Sequence, residues 1–285
     1  MTKRPIVFDA CSLINLLIID DGDLLLNAVN RLSAIEGEEK ICVSETVMHE
    51  IRVNLGKRKD NKEEYTEIIR KIYLRVKVYY DINLVNHFPK DYIHEIKDFL
   101  GYKKKDNGEL FSTALSLLLS RKERRHVIFY TDDFPAKEDF TYYFNYQQIG
   151  YIADTADLLI FLYWHDDSIS YKTLKQKLNN LRSCYLTDFK EIKETLSTLV
   201  NKLTGKKNLK IRSCISYVID TIYKPISFDT PELQTALSQI GMVYPKLSEQ
   251  LQAFFTNQCK MVNKINSILA NIDNHHIYNY SDHAL

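Results

Sequence analysis

Chemistry in this chain would be built on Asp9, Glu50, Glu109 and the pair Asp132-Asp133, each of which stands where an apolar run stops or on a helix that follows. Ile6-Val7-Phe8 halts at Asp9, and a small residue, a serine and a new apolar run follow, which reads as a buried parallel strand, a tight turn and a helix. In open α/β sheets, ligands bind in the crevice beyond the carboxyl ends of the strands. An acid at that point is either a cap for the helix opening near Ser12 or part of a ligand site. Glu50 lies on the helix after a second short strand, beside Ile51 and one turn from Val47, and is either a solvent-facing residue or a second acid turned toward the first. Glu109 opens a Leu/Ala-rich helix, where the backbone dipole favours negative charge with or without a ligand. Val127-Ile128-Phe129-Tyr130 ends in Thr131-Asp132-Asp133, and like charges this close raise one another's pKa unless a cation or a helix N-terminus offsets them.

These residues need a frame. Strands are expected at Ile6–Phe8, Lys40–Ser44, Val76–Ile82, Val127–Tyr130 and Ile149–Ala153, with helices between them, and this alternation predicts a doubly wound parallel sheet. The chain has 285 residues, 45% of them hydrophobic and 26% charged, with only 8 Gly and 6 Pro, enough to bury a full core and an appendage. Its longest strongly apolar run, Leu158–Trp164, is too short to span a bilayer. With no signal-type apolar region ahead of the first strand, a cytoplasmic protein with no membrane partner is expected. Five scattered cysteines, none in a C-x-x-C pair, suggest neither a disulfide framework nor a zinc site and read as small buried hydrophobes. A net charge of +1 excludes a global attraction to polyanions but not local basic clusters.

Four segments, VFDACSLINLL, VSETVMHEI, DNGELFSTALSLLL and VIFYTDDFPAKEDF, taken in this order, resemble the acidic motifs of PIN-domain nucleases, a family that includes many ribonuclease toxins of bacterial toxin–antitoxin modules. ADTADLLIFLYWHDDSISYKTLKQKLNNLR resembles the helical region that follows the last motif, so the likeness covers roughly the first two thirds of the chain. The resemblance implies a PIN-like nuclease domain over 1–195. It also implies a metal-binding quartet of Asp9, Glu50, Glu109 and an acid of the Thr131-Asp132-Asp133 unit. The family's T-x-D pattern favours Asp133, with Asp132 as its partner and Asp106 as a reserve for Glu109. An RNA substrate and a role as a toxin or phage-defence effector follow from the same likeness. The alternatives are a DNA flap or repair-type nuclease and a catalytically silent RNA-binding PIN module.

The residue types then dictate the reaction. Clustered carboxylates with no Lys or Arg inside the motifs call for hard divalent cations, Mg²⁺ or Mn²⁺, which take oxygen ligands. Such an ion makes a bound water deprotonable near neutral pH. A pair of ions about 3.5–4 Å apart holds the attacking and leaving oxygens of an in-line phosphodiester displacement, so no histidine base is required. The hydroxyls of Ser12 and Thr131, close in sequence to these acids, either cap helices or touch phosphate or a bound water.

Several other patterns compete for attention. Arg121 to His126 fits the R-x4-H spacing that resembles the HEPN ribonuclease motif, yet it lies between a helix and a strand rather than inside a helical bundle and reads as coincidence, although a basic loop on that edge of the sheet could still contact phosphate. The basic loops at Lys103–Lys105 and Lys202–Arg212 are either phosphate contacts or solvated turns. His275, His276 and His283 lack metal-ligand spacing. Residues 196–285 read as an all-helical appendage of unknown role, with helices at Phe189–Leu203, Leu209–Tyr223, Pro231–Ile240 and Lys246–Ile272. In the last of these, Leu247, Leu251, Phe254, Gln258, Met261, Ile265, Ile268 and Ile272 form a heptad seam, which is either the helix's own packing face or a surface for self-association or an inhibitor protein.

Overall fold

The computed structural model describes residues 4–19, 24–33, 41–56, 62–85, 91–222 and 230–274. Its elements, in chain order, begin with β1 (Ile6–Phe8), α1 (Ala10–Ile19), α2 (Leu24–Ser33), β2 (Ile41–Ser44), α3 (Glu45–Gly56), α4 (Lys62–Arg75) and β3 (Val76–Tyr79). They continue through α5 (Ile82–Val85), α6 (Tyr92–Leu100), α7 (Gly108–Glu123), β4 (Val127–Tyr130), α8 (Phe134–Tyr146), β5 (Gly150–Ala153), α9 (Thr155–His165) and α10 (Tyr171–Lys202). After a 3₁₀ turn at Lys206–Asn208 come α11 (Leu209–Thr221), α12 (Pro231–Val243), α13 (Pro245–Phe254) and α14 (Lys260–Asp273).

The five strands form one parallel sheet in the order β3-β2-β1-β4-β5, flanked by helices. The all-apolar strands take the middle: every residue of β1 and β4 is buried, as parallel strands covered on both faces must be. The outer strand β5 is partly exposed. In register, Val7 stands opposite Cys42 on one side and Phe129 on the other. Winding from β1 to β2 and β3, then back past β1 to β4 and β5, puts a reversal of strand order between β1 and β4, and the crevice at such a reversal is where ligands bind in this architecture. Gly150 starts β5 so close to β4 that a Cβ there would lie 1.9 Å from the Val127 carbonyl oxygen, which only glycine avoids.

Helix α7 is buried along nearly its whole length. Leu110, Ala114, Leu115 and Leu119 join Val7, Phe129, Ile96 and Phe140 in one core cluster, and this burial fixes the α7 N-terminus at the carboxyl edge of the sheet.

The chain divides into two compact units between Lys177 and Leu178, inside α10, and not at the expected 195/196. Phe189 therefore does not open a new helix; α10 runs unbroken for 32 residues. The second unit is all-helical, around a core that includes Phe189, Leu196, Ile215, Val218, Leu237 and Phe254, with the rings of Phe189 and Phe254 meeting edge to face at 4.6 Å. The helix expected over Lys246–Ile272 is interrupted by a π-helical turn at Phe255–Cys259, and the wider turn lets the consecutive rings of Phe254 and Phe255 both bury. Leu251, Phe254, Met261, Ile265, Ile268 and Ile272 are buried in the single chain and Leu247 is partly buried, so these described residues of the seam serve as a packing face of the chain itself. The Gln258 side chain and His275, His276 and His283 lie outside the described residues.

Candidate active site

Four of the expected acids arrive at the carboxyl edge of the sheet, each on a different element. Asp9 follows β1, and its backbone N–H donates to the Tyr130 carbonyl (3.0 Å), so the β1–β4 ladder runs one step past the strand and fixes the residue beside the end of β4. Its side chain is buried. Oδ2 accepts from the Thr131 hydroxyl (2.7 Å) and from the Cys11 thiol (2.8 Å). Thr131 in turn accepts from the Asp133 backbone N–H (3.1 Å), so this one hydroxyl ties the two acids together across the strand-order reversal.

Asp133 is the N-cap of α8, its carboxylate accepting from the Ala136 N–H (3.4 Å), with Pro135 in the first turn that follows. Glu50, on α3, reaches the first residue of α7, where Oε1 accepts from the Gly108 N–H at 2.8 Å. A Cβ on residue 108 would lie 2.3 Å from Glu50 Oε2, so glycine is what permits the approach. Glu109 is the next residue, in the first turn of a helix capped by Asn107, whose side chain accepts from the Leu110 N–H.

The electrostatics couple these groups. Burial pushes the Glu109 carboxyl from 4.5 up to about 8, and Asp9, Asp133 and Glu50 add to the shift. Burial likewise takes Asp9 from 3.8 to about 6, with a further contribution from Glu50 and partial relief from the Cys11 and Thr131 hydrogen bonds. Burial also raises Glu50 and Asp133, and Lys104 moderates the latter. Such a set is short of positive charge at neutral pH.

Other expectations are corrected. Asp132 does not share this environment: it is buried, Oδ1 accepts from the Thr155 N–H (2.8 Å), and Oδ2 accepts from the Thr155 hydroxyl and the Asn15 amide (both 2.7 Å). Its oxygens are spent tying β4 to α1 and α9. Asp106 is half-exposed and its carboxylate is paired with Lys97. Ser12 is not a cap; it lies inside α1, fully buried, and its Oγ has no hydrogen-bond partner. Arg121–His126 spans the last turn of α7 and the connection to β4 at the amino edge, opposite the acids, whereas Lys103–Lys105 lies just ahead of the α7 N-terminus on the acids' own edge, exposed.

No family model, no curated protein and no solved structure matches this chain. Its function is therefore argued from the site alone. Among the described residues, no three His, Cys, Asp or Glu side chains are grouped so as to hold a metal ion as placed. The side chains gathered here offer oxygen atoms of the kind hard cations take, on carboxyls raised by burial and by one another's charge. The sequence did not point to Cys11, Asn15 or Thr155 as partners of these acids. Only the position of Cys11, two residues after Asp9, was a local signal. Among the described residues, no helix is long and apolar enough to cross a membrane.

Proposed function

We propose that this carboxyl edge is the active site of a PIN-like, divalent-metal-dependent ribonuclease. The observation that carries the reading is the convergence of Asp9, Glu50 and Asp133, each held by its own hydrogen bond, with Glu109 at the carboxyl edge, and burial together with the charges of the other three raises the Glu109 carboxyl. Four carboxyls brought to the carboxyl edge, those of Asp9, Glu50 and Asp133 held there by specific hydrogen bonds, cost stability that an apolar edge would not, and a bound cation offsets that cost. Asp9, Glu50, Glu109 and Asp133 would hold Mg²⁺ or Mn²⁺, which supplies Lewis-acid stabilisation of the charge that develops on a phosphodiester. The protein's own part is positioning. Thr131 orients Asp9, the Gly108 N–H aims Glu50, and the α8 cap fixes Asp133. Ser12 Oγ, fully buried in α1, is a donor open to a buried water, since leaving a buried hydroxyl unpaired costs on the order of 1–3 kcal/mol. The exposed Lys103 and Lys105 contact the RNA backbone on the same edge.

The test is cleavage of a labelled oligoribonucleotide by the purified full chain with Mg²⁺ or Mn²⁺, with and without EDTA. Cleavage that stops on chelation, and that falls at least about a hundredfold in Asp9→Asn with the circular dichroism unchanged, supports the reading. Cleavage indifferent to chelation removes the metal, and absence of cleavage under every metal condition removes the nuclease.

A further inference from the structure

The opposite, amino edge of the sheet carries a cavity of about 520 Å³ that the acidic site does not use. Its lining includes Arg4, Arg121, Arg124, Arg125, His126 and Gln148, and among the described residues none that lines it is acidic. These residues come from three places: Arg4 just ahead of β1, the end of α7 and its connection to β4, with Arg121 in the last helical turn and Arg124–His126 after it, and Gln148 just ahead of β5. The cavity therefore lies across the entrances of the three neighbouring strands β1, β4 and β5.

A helix C-terminus by itself favours cations, which accounts for arginines at the end of α7 but not for the arrival of Arg4 and Gln148 at the same concavity. Backbone conformation singles out the same place. Among the described residues, the non-glycine residues with positive φ are Arg124 (53°) and Gln148 (52°), and both line the cavity. Arg124 takes this conformation as the C-cap of α7 and Gln148 in the turn after α8, so each helix ending fixes the backbone that carries a lining side chain. Arg121 is pre-set as well, its guanidinium donating to the Gln147 carbonyl (2.6 Å) and the Gln147 side-chain oxygen (3.1 Å). Beside the arginines stands Tyr151 on the outer strand β5, 55% exposed, in edge contact with the His126 ring and lying under the Arg4 guanidinium at 5.9 Å. A positive concavity next to an exposed aromatic ring matches two halves of one ligand: phosphate for the guanidinium forks, a base for the ring.

We propose that this cavity binds a nucleotide, with its phosphate on Arg4, Arg124 and Arg125 and its base against Tyr151. The volume suits a single nucleotide unit. That unit comes either from a free nucleotide or from the phosphorylated end of an RNA strand, and the chemistry recognised is the same. The site stands independently of the reaction proposed at the other edge.

Isothermal titration of the full chain in EDTA tests this, with ADP, inorganic phosphate, and a short oligoribonucleotide carrying either a 5′-phosphate or a 5′-hydroxyl as probes. The expected result is saturable binding that weakens steeply with added salt. It should be at least tenfold weaker in Arg124→Asn/Arg125→Gln, where asparagine keeps the left-handed backbone, and also in Tyr151→Ala, an exposed position. Binding of ADP assigns a free nucleotide. Binding of the 5′-phosphorylated strand, but neither of its 5′-hydroxyl form nor of ADP, assigns a strand end. No saturable binding by any probe, or binding unchanged in folded Arg124→Asn/Arg125→Gln, overturns the proposal. Equal affinity for inorganic phosphate and ADP with no effect of Tyr151→Ala overturns the nucleotide assignment.

Discussion

The Thr131 hydroxyl donates to Asp9 Oδ2 at 2.7 Å while accepting from the Asp133 N–H at 3.1 Å, so one side chain sets the spacing of two acids that lie on either side of it in the fold. Thr131→Val keeps the β-branched shape and removes both bonds. Because the lost donor had lowered the Asp9 pKa, the acid limb of the pH–rate profile should move to higher pH, and cleavage at neutral pH should fall roughly tenfold. A profile and rate identical to those of the natural protein would show that Thr131 does not position Asp9.

Asp132 and Asp133 adjoin in sequence but should separate in experiment. Asp132→Asn places an amide among the donors of Asn15 and Thr155, and the melting temperature should drop by the equivalent of about 1–3 kcal/mol while the folded molecules retain activity. Asp133→Asn keeps a capping acceptor, so stability should change little while cleavage falls at least about a hundredfold. The reverse pattern, read by calorimetry and single-turnover assays, would exchange their roles.

Gly108→Ala is a probe of the Glu50 carboxylate. The added methyl meets Glu50 Oε2 at 2.3 Å and Val47 Cγ2 at 3.2 Å. The flexible carboxylate yields first, so Glu50 should leave the Gly108 N–H and metal-dependent activity should drop by about tenfold or more with the fold intact. Full activity in this variant would mean that Glu50 is not needed where the structure places it.

The raised carboxyls fix a stability window. Glu109 goes from 4.5 to about 8 and Asp9 from 3.8 to about 6 on folding. A carboxyl raised in this way costs nothing below its unfolded pKa and destabilises progressively as pH climbs to its folded pKa. The cation-free protein should therefore lose stability between about pH 4 and about pH 8. Magnesium binds the ionised form, so it should raise the melting temperature more near the top of that window than near the bottom. A melting temperature level across the window in EDTA, and unmoved by Mg²⁺, would show that the acids do not share a site.

The strands β1 and β4 were legible because burial on both faces leaves no room for polar residues, so each reads as an apolar run that stops at an acid. Asp9 and the Asp132-Asp133 pair stood out as the acids that end those runs, whereas Glu50 and Glu109 were named from their helix positions and the family resemblance. The choice between Asp132 and Asp133 did not, since Thr155 and Asn15, which occupy the oxygens of Asp132, lie 23 and 117 residues away in the chain. The arginine cavity was hidden for the same reason: Arg4, Arg124 and Gln148 meet only once the three strand entrances stand side by side. The seam in α13 and α14 showed an apolar period without saying what would cover it, and the π-helical turn inside it left no sign in residue spacing.

That the two units part inside α10 bears on how the protein can be dissected. A junction in the middle of a helix has no loop for a protease to enter, so limited digestion will not release the units by cutting there. A shortened chain ending at residue 195 would keep Leu181 and Phe189, buried in the whole protein, while discarding Phe254, against which Phe189 rests. It would be sticky and poorly soluble for reasons unrelated to the acids, whereas one ending at Lys177 carries no such stub.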